Sequence, residues 1–293
     1  MNIKKTKSRI AFEIFNSVLM LFIIFITITP LIHVFNASLS DSGALMRNGG
    51  KILWHPLQMN LRAYKQAFSN SLIVSGYINT IFVVIAGTSI SLILSAICAY
   101  VLSRRTLMLN ALMMKIVTFT MFFGGGMIPL YIMVRNLHLI GSIWSLIIPS
   151  AISTYNMIIL RTGFEQVPES LIESAVIDGA GHLRILVKIV IPLSKATMAV
   201  IAMYYAIAYW NSWFPASIYL TRNQNKWPLQ LVLRQILVMN DTSNVQAGFD
   251  EQSSVAESIK YATIVIATVP ILCVYPFIQR YFTKGVMIGA VKG

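Results

Sequence analysis

Six stretches of mainly apolar residues, at about 11–35, 72–102, 108–134, 138–160, 196–220 and 259–281, alternate with polar segments along this chain of 293 residues. A hydrocarbon core about 30 Å thick is crossed by about 20 apolar residues of α-helix, so each stretch predicts a spanning helix. The second and third are parted only by Ser103-Arg104-Arg105-Thr106-Leu107, which reads as a tight turn. What remains is too short for a soluble domain. The expected fold is an all-α integral membrane protein with six transmembrane helices. Its parts are an N-terminus 1–10, a first span 11–35, an outer segment 36–71, a five-span core 72–281 and a tail 282–293. Within the core lie an inner loop 161–195 and an outer loop 221–258. The first span has the basic start of a secretory signal, but its apolar run exceeds the roughly 7–15 residues of such a signal, so it reads as an anchor.

The inner loop carries the most local information. Pro168 fixes φ for a helix start, and Glu169 and Glu173 put negative charge near the positive end of the helix dipole. Leu171, Ile172, Ala175 and Val176 recur at helical spacing and make one apolar stripe. Asp178-Gly179 should end that helix, because glycine accepts the left-handed closing conformation. A second amphipathic run, Leu183 to Ile191, should stop before Pro192 or bend at it. The prediction is a helix-turn-helix between spans 4 and 5. Ala175 and Gly179 would let a partner approach closely, and Glu173 would pair with a partner cation; the same pattern also suits an amphipathic hairpin lying on the membrane surface. Elsewhere, Gly124-Gly125-Gly126 with Pro129 interrupts the third stretch, which reads either as a gate or as a frayed helix end, and Pro270 and Pro276 predict a kink in the last.

Composition agrees with a membrane. Hydrophobic residues make up 56%, charged residues 11%, and mean hydropathy is +0.70, against about 25% charged in soluble domains. With the N-terminus inside, thirteen of the 23 Lys and Arg fall on the cytoplasmic side and nine outside, while Lys115 lies within the third span. Both termini and the inner loop then face the cytoplasm. Inside-positive topology and contact with membrane lipid account for the net charge of +13, and nothing in the pattern calls for nucleic acid. Cys98 and Cys273 sit in separate spans, and His33, His55, His138 and His182 lack ligand spacing, so no metal site is expected. No G-x-x-x-x-G-K-[ST] segment is present, so ATP-driven work would fall to another subunit. Sparse intramembrane charge argues against ion coupling, and the lack of paired carboxylates or a nucleophile with its base argues against an enzyme.

Glu173-Ser174-Ala175, then three residues, Gly179, nine residues and Ile189-Val190-Ile191-Pro192 resembles the EAA motif of importer permeases of the ATP-binding-cassette (ABC) class, with Ser174 for Ala and Ile191 for Leu. Further segments, among them Asn60 to Phe68, Gly76-Tyr77-Ile78-Asn79-Thr80, Phe122 to Pro129 and Trp210-Asn211-Ser212-Trp213-Phe214, are similar to carbohydrate-importer permeases, the MalG-like family near its complex-oligosaccharide subgroup. The resemblance implies a type I importer permease in the bacterial cytoplasmic (inner) membrane, with no cofactor of its own and with ATP and Mg on partners. Those partners would be a second homologous permease, two ATPase subunits and an extracytoplasmic solute-binding protein. It assigns ATPase docking to Glu173, Ser174, Ala175, Asp178, Gly179, Ala180, Gly181, Ile189 and Pro192, and a tail contact with the ATPases to Gly289, Lys292 and Gly293. The substrate would be an oligosaccharide, with the smaller permease of an alginate importer among the candidates. Asn79, Asn156, Tyr205, Tyr209, Trp210 and Asn211 are the residues a substrate pathway would draw on, with an interfacial aromatic belt or interhelical hydrogen bonding as the plainer readings. The outer segments 36–70 and 221–257 would offer a surface to the binding protein. The other classes considered are a stand-alone secondary transporter or channel and a structural membrane protein.

Overall fold

A computed structural model of the chain describes residues 6–49, 51–104, 108–246, 258–273 and 276. Among the described residues the regular elements are helical, with no strand. The chain divides into two compact units, Met1–Asn70 with Gln235–Val269, and Ser71–Arg234 with Pro270–Gly293.

The first unit is dominated by α1 (Lys7–Ser38), which starts where the Thr6 hydroxyl accepts the Arg9 N–H. Its large apolar side chains, including Phe12, Phe15, Leu21 and Phe25, are exposed. Leaving that much apolar surface in water would cost about 25 cal/mol per Å², so lipid or a partner must surround this helix. Thr27 and Thr29 donate their hydroxyls back to the Ile23 and Phe25 carbonyls, which hides polar groups that hydrocarbon would not solvate. The end of α1 is built into the segment after it. The Asn36 amide donates to the Leu53 carbonyl at 3.0 Å, Ser38 and Tyr64 share a 2.7 Å hydrogen bond between hydroxyls, and the Leu53 N–H donates to His33 Nδ1 at 3.2 Å. Asp41 caps α2 (Ser42–Arg47) through the Gly43 and Ala44 N–H groups and also accepts from the Asn60 amide. With α3 (Arg62–Ser69), the stretch after α1 is thus a folded cap whose small core is Ala37, Leu45 and Leu53 with Leu57 and Tyr261 beside them.

The second unit is organised around α4 (Ser71–Ser103). Its buried face reads Gly76, Thr80, Val83, Gly87, Ser91, Ser95, Ala99 and Ser103, small residues three or four apart that let neighbouring backbones come close. The helices that follow are α5 (Asn110–Phe122), α6 (Met127–Asn136), α7 (Trp144–Ile147), α8 (Thr154–Phe164), α9 (Glu169–Ile177), α10 (His182–Leu193), α11 (Lys195–Trp210), α12 (Trp213–Tyr219) and α13 (Leu229–Gln246), the last running on into the first unit. A final helix, α14 (Ser258–Cys273), carries Tyr261. The main contacts of α4 are with α11 and α8.

Two helices, α1 and α4, are each long and apolar enough to cross a membrane, and two bent pairs raise that to four if each pair counts as one span. Several of the six expected stretches are therefore not single straight helices. The third breaks at Gly124-Gly125-Gly126, where Gly126 has φ +84°, and α5 and α6 meet at 107°. The fourth becomes α7, a 3₁₀ turn containing Pro149, and α8, which begins where the Ser153 hydroxyl accepts the Asn156 N–H. The fifth stops at Trp210 and restarts as α12. The outer loop from 221 also departs from expectation, because Leu229, Leu231, Val232 and Leu233 at the start of α13 are buried. An apolar run from Trp227 to Val238 thus sits inside the segment read as the outer loop 221–258. The last stretch is described as helix to Cys273, and of its remainder only residue 276 is among the described residues.

Candidate functional site

The inner loop forms two helices joined by a tight turn. Pro168 is the residue before α9 rather than its first residue, and Glu169 opens the first turn. The helix closes as a Schellman motif: the Gly179 N–H donates to Val176 O at 3.0 Å, and the Ala180 N–H to Ala175 O at 2.9 Å. This geometry requires a left-handed residue, which Gly179 supplies at φ +79°. A side chain added at Gly179 would meet nothing within 4 Å, so backbone conformation rather than space keeps glycine there. The next helix, α10, differs from expectation at Pro192. It passes through the proline to Leu193 by widening Leu186–Val190 into a π-helical turn. Pro192 has no N–H for the Lys188 carbonyl and its ring would crowd that group, and a wider turn relieves both problems. The chain then bends by 90° into α11.

Burial splits the predicted apolar stripe in two. Ile172 and Ala175 face into the chain, Ala175 at 9% exposure. Leu171, Val176, Ile177 at 86%, Leu183 at 71% and Val187 stand outward. Glu173, Ser174, Asp178, Gly179, Gly181 and Pro192 are exposed, with Ala180 and Ile189 half-buried. The exposed part of the hairpin is an apolar ridge beside Glu173, a composition for burial against something else.

Two contacts pin the hairpin to the helices behind it, and a third ties those helices to each other. Arg161 on α8 donates Nε to the Leu102 carbonyl at the end of α4 at 2.8 Å and pairs with Glu165 at 2.7 Å. His182 Nδ1 at the start of α10 lies 3.2 Å from the Tyr100 hydroxyl. At the exit, the Ser194 hydroxyl donates to the Gly163 carbonyl, and a Cβ at Gly163 would fall 2.8 Å from Thr197. His182 had looked isolated in sequence; its bond to Tyr100 depends on two helices meeting 82 residues apart.

The candidate pathway residues occupy varied places. Tyr205 and Tyr209 are buried in the α4–α11 seam rather than on an open surface. The Tyr205 hydroxyl bonds Ser95 at 2.6 Å and accepts the Ser153 N–H at 2.9 Å, while the Tyr209 hydroxyl bonds Ser91 at 2.8 Å and reaches the Ile147 and Ser150 carbonyls at 3.4 Å. Asn79 donates to the Asn225 and Trp227 carbonyls at 2.8 and 3.1 Å, fastening the turn before α13. Asn211 is exposed and bonds its own helix at Ile207 O. Asn156 is buried on α8, and Trp210 is half-buried with its indole N–H enclosed. The Arg234 guanidinium lies 3.7 Å from the centre of the Trp213 ring, a cation–π pair the sequence reading missed. The tail residues Gly289, Lys292 and Gly293 lie outside the described residues.

A multi-pass helical protein with no P-loop, displaying an apolar hairpin of EAA spacing pinned to its central helices, is built as a transport subunit rather than as a motor. The chain belongs to the carbohydrate-importer permeases of the ABC class, the MalG-like family. It is 43% identical over 272 residues to the polygalacturonan/rhamnogalacturonan transport system permease protein YtcP of Bacillus subtilis, covering 92% of this chain and 93% of that one. It is 38% identical over 290 residues to protein LplC of the same organism, covering 98% and 97%. A chain in the crystal structure of a bacterial ABC transporter involved in the import of the acidic polysaccharide alginate superposes with a TM-score of 0.87 at 31% identity, covering 96% of this chain and all of that one. No protein-family model matches the chain.

Proposed function

We propose that α9, the turn at Gly179 and α10 form the cytoplasmic docking element for a partner ATPase, and that this chain carries six spans with both termini in the cytoplasm of a bacterial cell. The observation that carries the reading is the exposed ridge of Val176, Ile177, Leu183 and Val187 beside Glu173, on a hairpin tied to α4 through His182 and to α8 through Ser194. The assembly holds a second homologous permease, two ATPase subunits that bind ATP and Mg, and a solute-binding protein outside. ATP-driven closure of the ATPases displaces the hairpin. His182 and Ser194 pass the displacement to α4 and α8, which Arg161 ties together, and the hydroxyl ladder of Tyr205 and Tyr209 carries it along the α4–α11 seam. A seam with discrete hydrogen-bonded partners moves as a rigid body rather than deforming gradually, as alternating access requires.

Glu173→Lys tests the docking face. Reversing one charge at such a contact costs several kcal/mol, so reconstituted complexes should import at least about tenfold more slowly while ATP hydrolysis persists uncoupled. Import at the parental rate by the Lys variant would remove the docking assignment.

The substrate in this reading is an acidic oligosaccharide. The alginate importer's substrate is an acidic polysaccharide, and polygalacturonan carries carboxylates on its sugar units. Here, Arg234 over Trp213 offers a guanidinium beside an aromatic face, a pairing suited to a carboxylate on a sugar ring. Arg234→Gln should lower uptake of uronate oligosaccharides about tenfold relative to a neutral oligosaccharide of equal length, the size expected for losing a charged hydrogen bond. Equal loss for both sugars would separate Arg234 from substrate choice.

A further inference from the structure

Where the end of α4 meets the start of α10, a cavity of about 390 Å³ opens to the surface. Its lining combines the apolar side chains of Ile97, Val101 and Leu183, all exposed, and the buried Leu186 with the polar groups of Tyr100, Arg104 and His182. The polar groups are ordered in advance. Arg104 directs Nε and Nη2 to the Ser103 hydroxyl at 3.3 and 3.1 Å, its guanidinium carbon lies 4.9 Å from the centre of the Tyr100 ring, and the Tyr100 hydroxyl meets His182 Nδ1. No Asp or Glu lines the cavity, and among the described residues no carboxylate pairs with Arg104.

We propose that this cavity is a binding site for an anionic phospholipid, with the phosphate of its headgroup on Arg104 and His182 and an acyl chain along Ile97, Val101 and Leu183. Three observations select this occupant. The cavity lies at the end of the apolar span of α4, where the bilayer gives way to water. Its charge is positive and uncompensated, which suits phosphate. Its apolar lining is continuous with the exposed face of α4 at Ile97 and Val101, so a chain lying there stays in hydrocarbon. A soluble anion would use Arg104 and leave that lining bare. Because His182 and Leu183 open α10, the lipid would brace the root of the hairpin and bias its position. Leu183 belongs also to the proposed docking ridge, so lipid and ATPase would meet at that residue; the test uses the chain without its ATPase partners, so its failure is distinguishable from failure of the docking reading.

The test is native mass spectrometry of the purified full-length chain from mixed vesicles of phosphatidylglycerol and phosphatidylcholine. The parental protein should retain phosphatidylglycerol preferentially. Arg104→Gln should weaken that preference about fivefold, the effect of one cation near an anionic surface. Val101→Trp, which fills apolar space without touching charge, should lower retention of phosphatidylglycerol as well, and serves if the Gln variant folds poorly. Competition by inorganic phosphate at millimolar concentration should leave the retained lipid in place. Displacement of the lipid by phosphate would mark a free-anion site and overturn the proposal. So would equal retention of both lipids by the parental chain, or an unchanged preference in both variants.

Discussion

Gly179→Val should yield a chain that folds and inserts, yet imports at least about tenfold more slowly while its ATPase partners continue to hydrolyse ATP. The residue sits at φ +79°, where a β-branched side chain is strained by about 1–3 kcal/mol, and each 1.4 kcal/mol is a factor of ten in an equilibrium. No atom lies within 4 Å of a Cβ there, so the cost comes from the backbone. The chain escapes that cost by abandoning the Schellman closure between Ala175 and Ala180, which redirects α10 and the Leu183 end of the ridge. Gly179→Asn is the control, since Asn accepts the left-handed region far better, and it should keep most of the import. The check is substrate uptake and ATP hydrolysis measured together in proteoliposomes. If Val and Asn at this position both import at the parental rate, the turn has no part in coupling.

Gly87→Leu should damage the fold itself. A Cβ at position 87 would lie 2.7–3.0 Å from three carbons of the Tyr209 ring, inside any tolerable contact. The ring has nowhere to go: Tyr209 is 3% exposed and its hydroxyl is held by Ser91 and by the Ile147 and Ser150 carbonyls. Overpacking of a tight seam costs about 1–3 kcal/mol for modest additions and more for a leucine. Even Gly87→Ala should lower the thermal midpoint in detergent, by about 2–4 °C per kcal/mol. Pairing Gly87→Ala with Tyr209→Leu should recover part of the loss, whereas Tyr209→Phe, which keeps the ring, should not. An unchanged midpoint for Gly87→Ala would mean that α4 and α11 are not packed as closely as described.

The elements most legible in the sequence were those with a local cause. Pro168, the acidic first turn and Gly179 located α9 and its closing turn within a residue, because each acts through its own backbone. The long apolar runs gave α1 and α4. Bends were harder to read, since a broken membrane helix is as apolar as a straight one; only the three glycines at 124–126 marked the α5–α6 turn, and nothing comparable marked Ser153 or Asn211. Periodicity placed Leu171, Ile172, Ala175 and Val176 on one side of α9 but did not show that Ile172 and Ala175 would be the half facing inward. Tyr205 and Tyr209 read as an aromatic cluster, whereas their hydroxyl partners Ser91 and Ser95 sit more than 100 residues away. One signal was present and overlooked: small residues spaced three or four apart from Gly76 to Ser103 announce a helix meant for close approach.

The central claim is that the Gly179 hairpin holds this chain to an ATPase. The most direct measurement is mild-detergent purification of the tagged chain from its own host, with quantitative mass spectrometry of what accompanies it, for the parental sequence and for Glu173→Lys and Gly179→Val. The account predicts stoichiometric recovery of a P-loop ATPase and a second permease with the parental chain. It predicts a lower ratio of ATPase to second permease in both variants, in line with a docking contact weakened by about tenfold. Recovery of the folded parental chain alone, or equal recovery of the ATPase with all three, would contradict it.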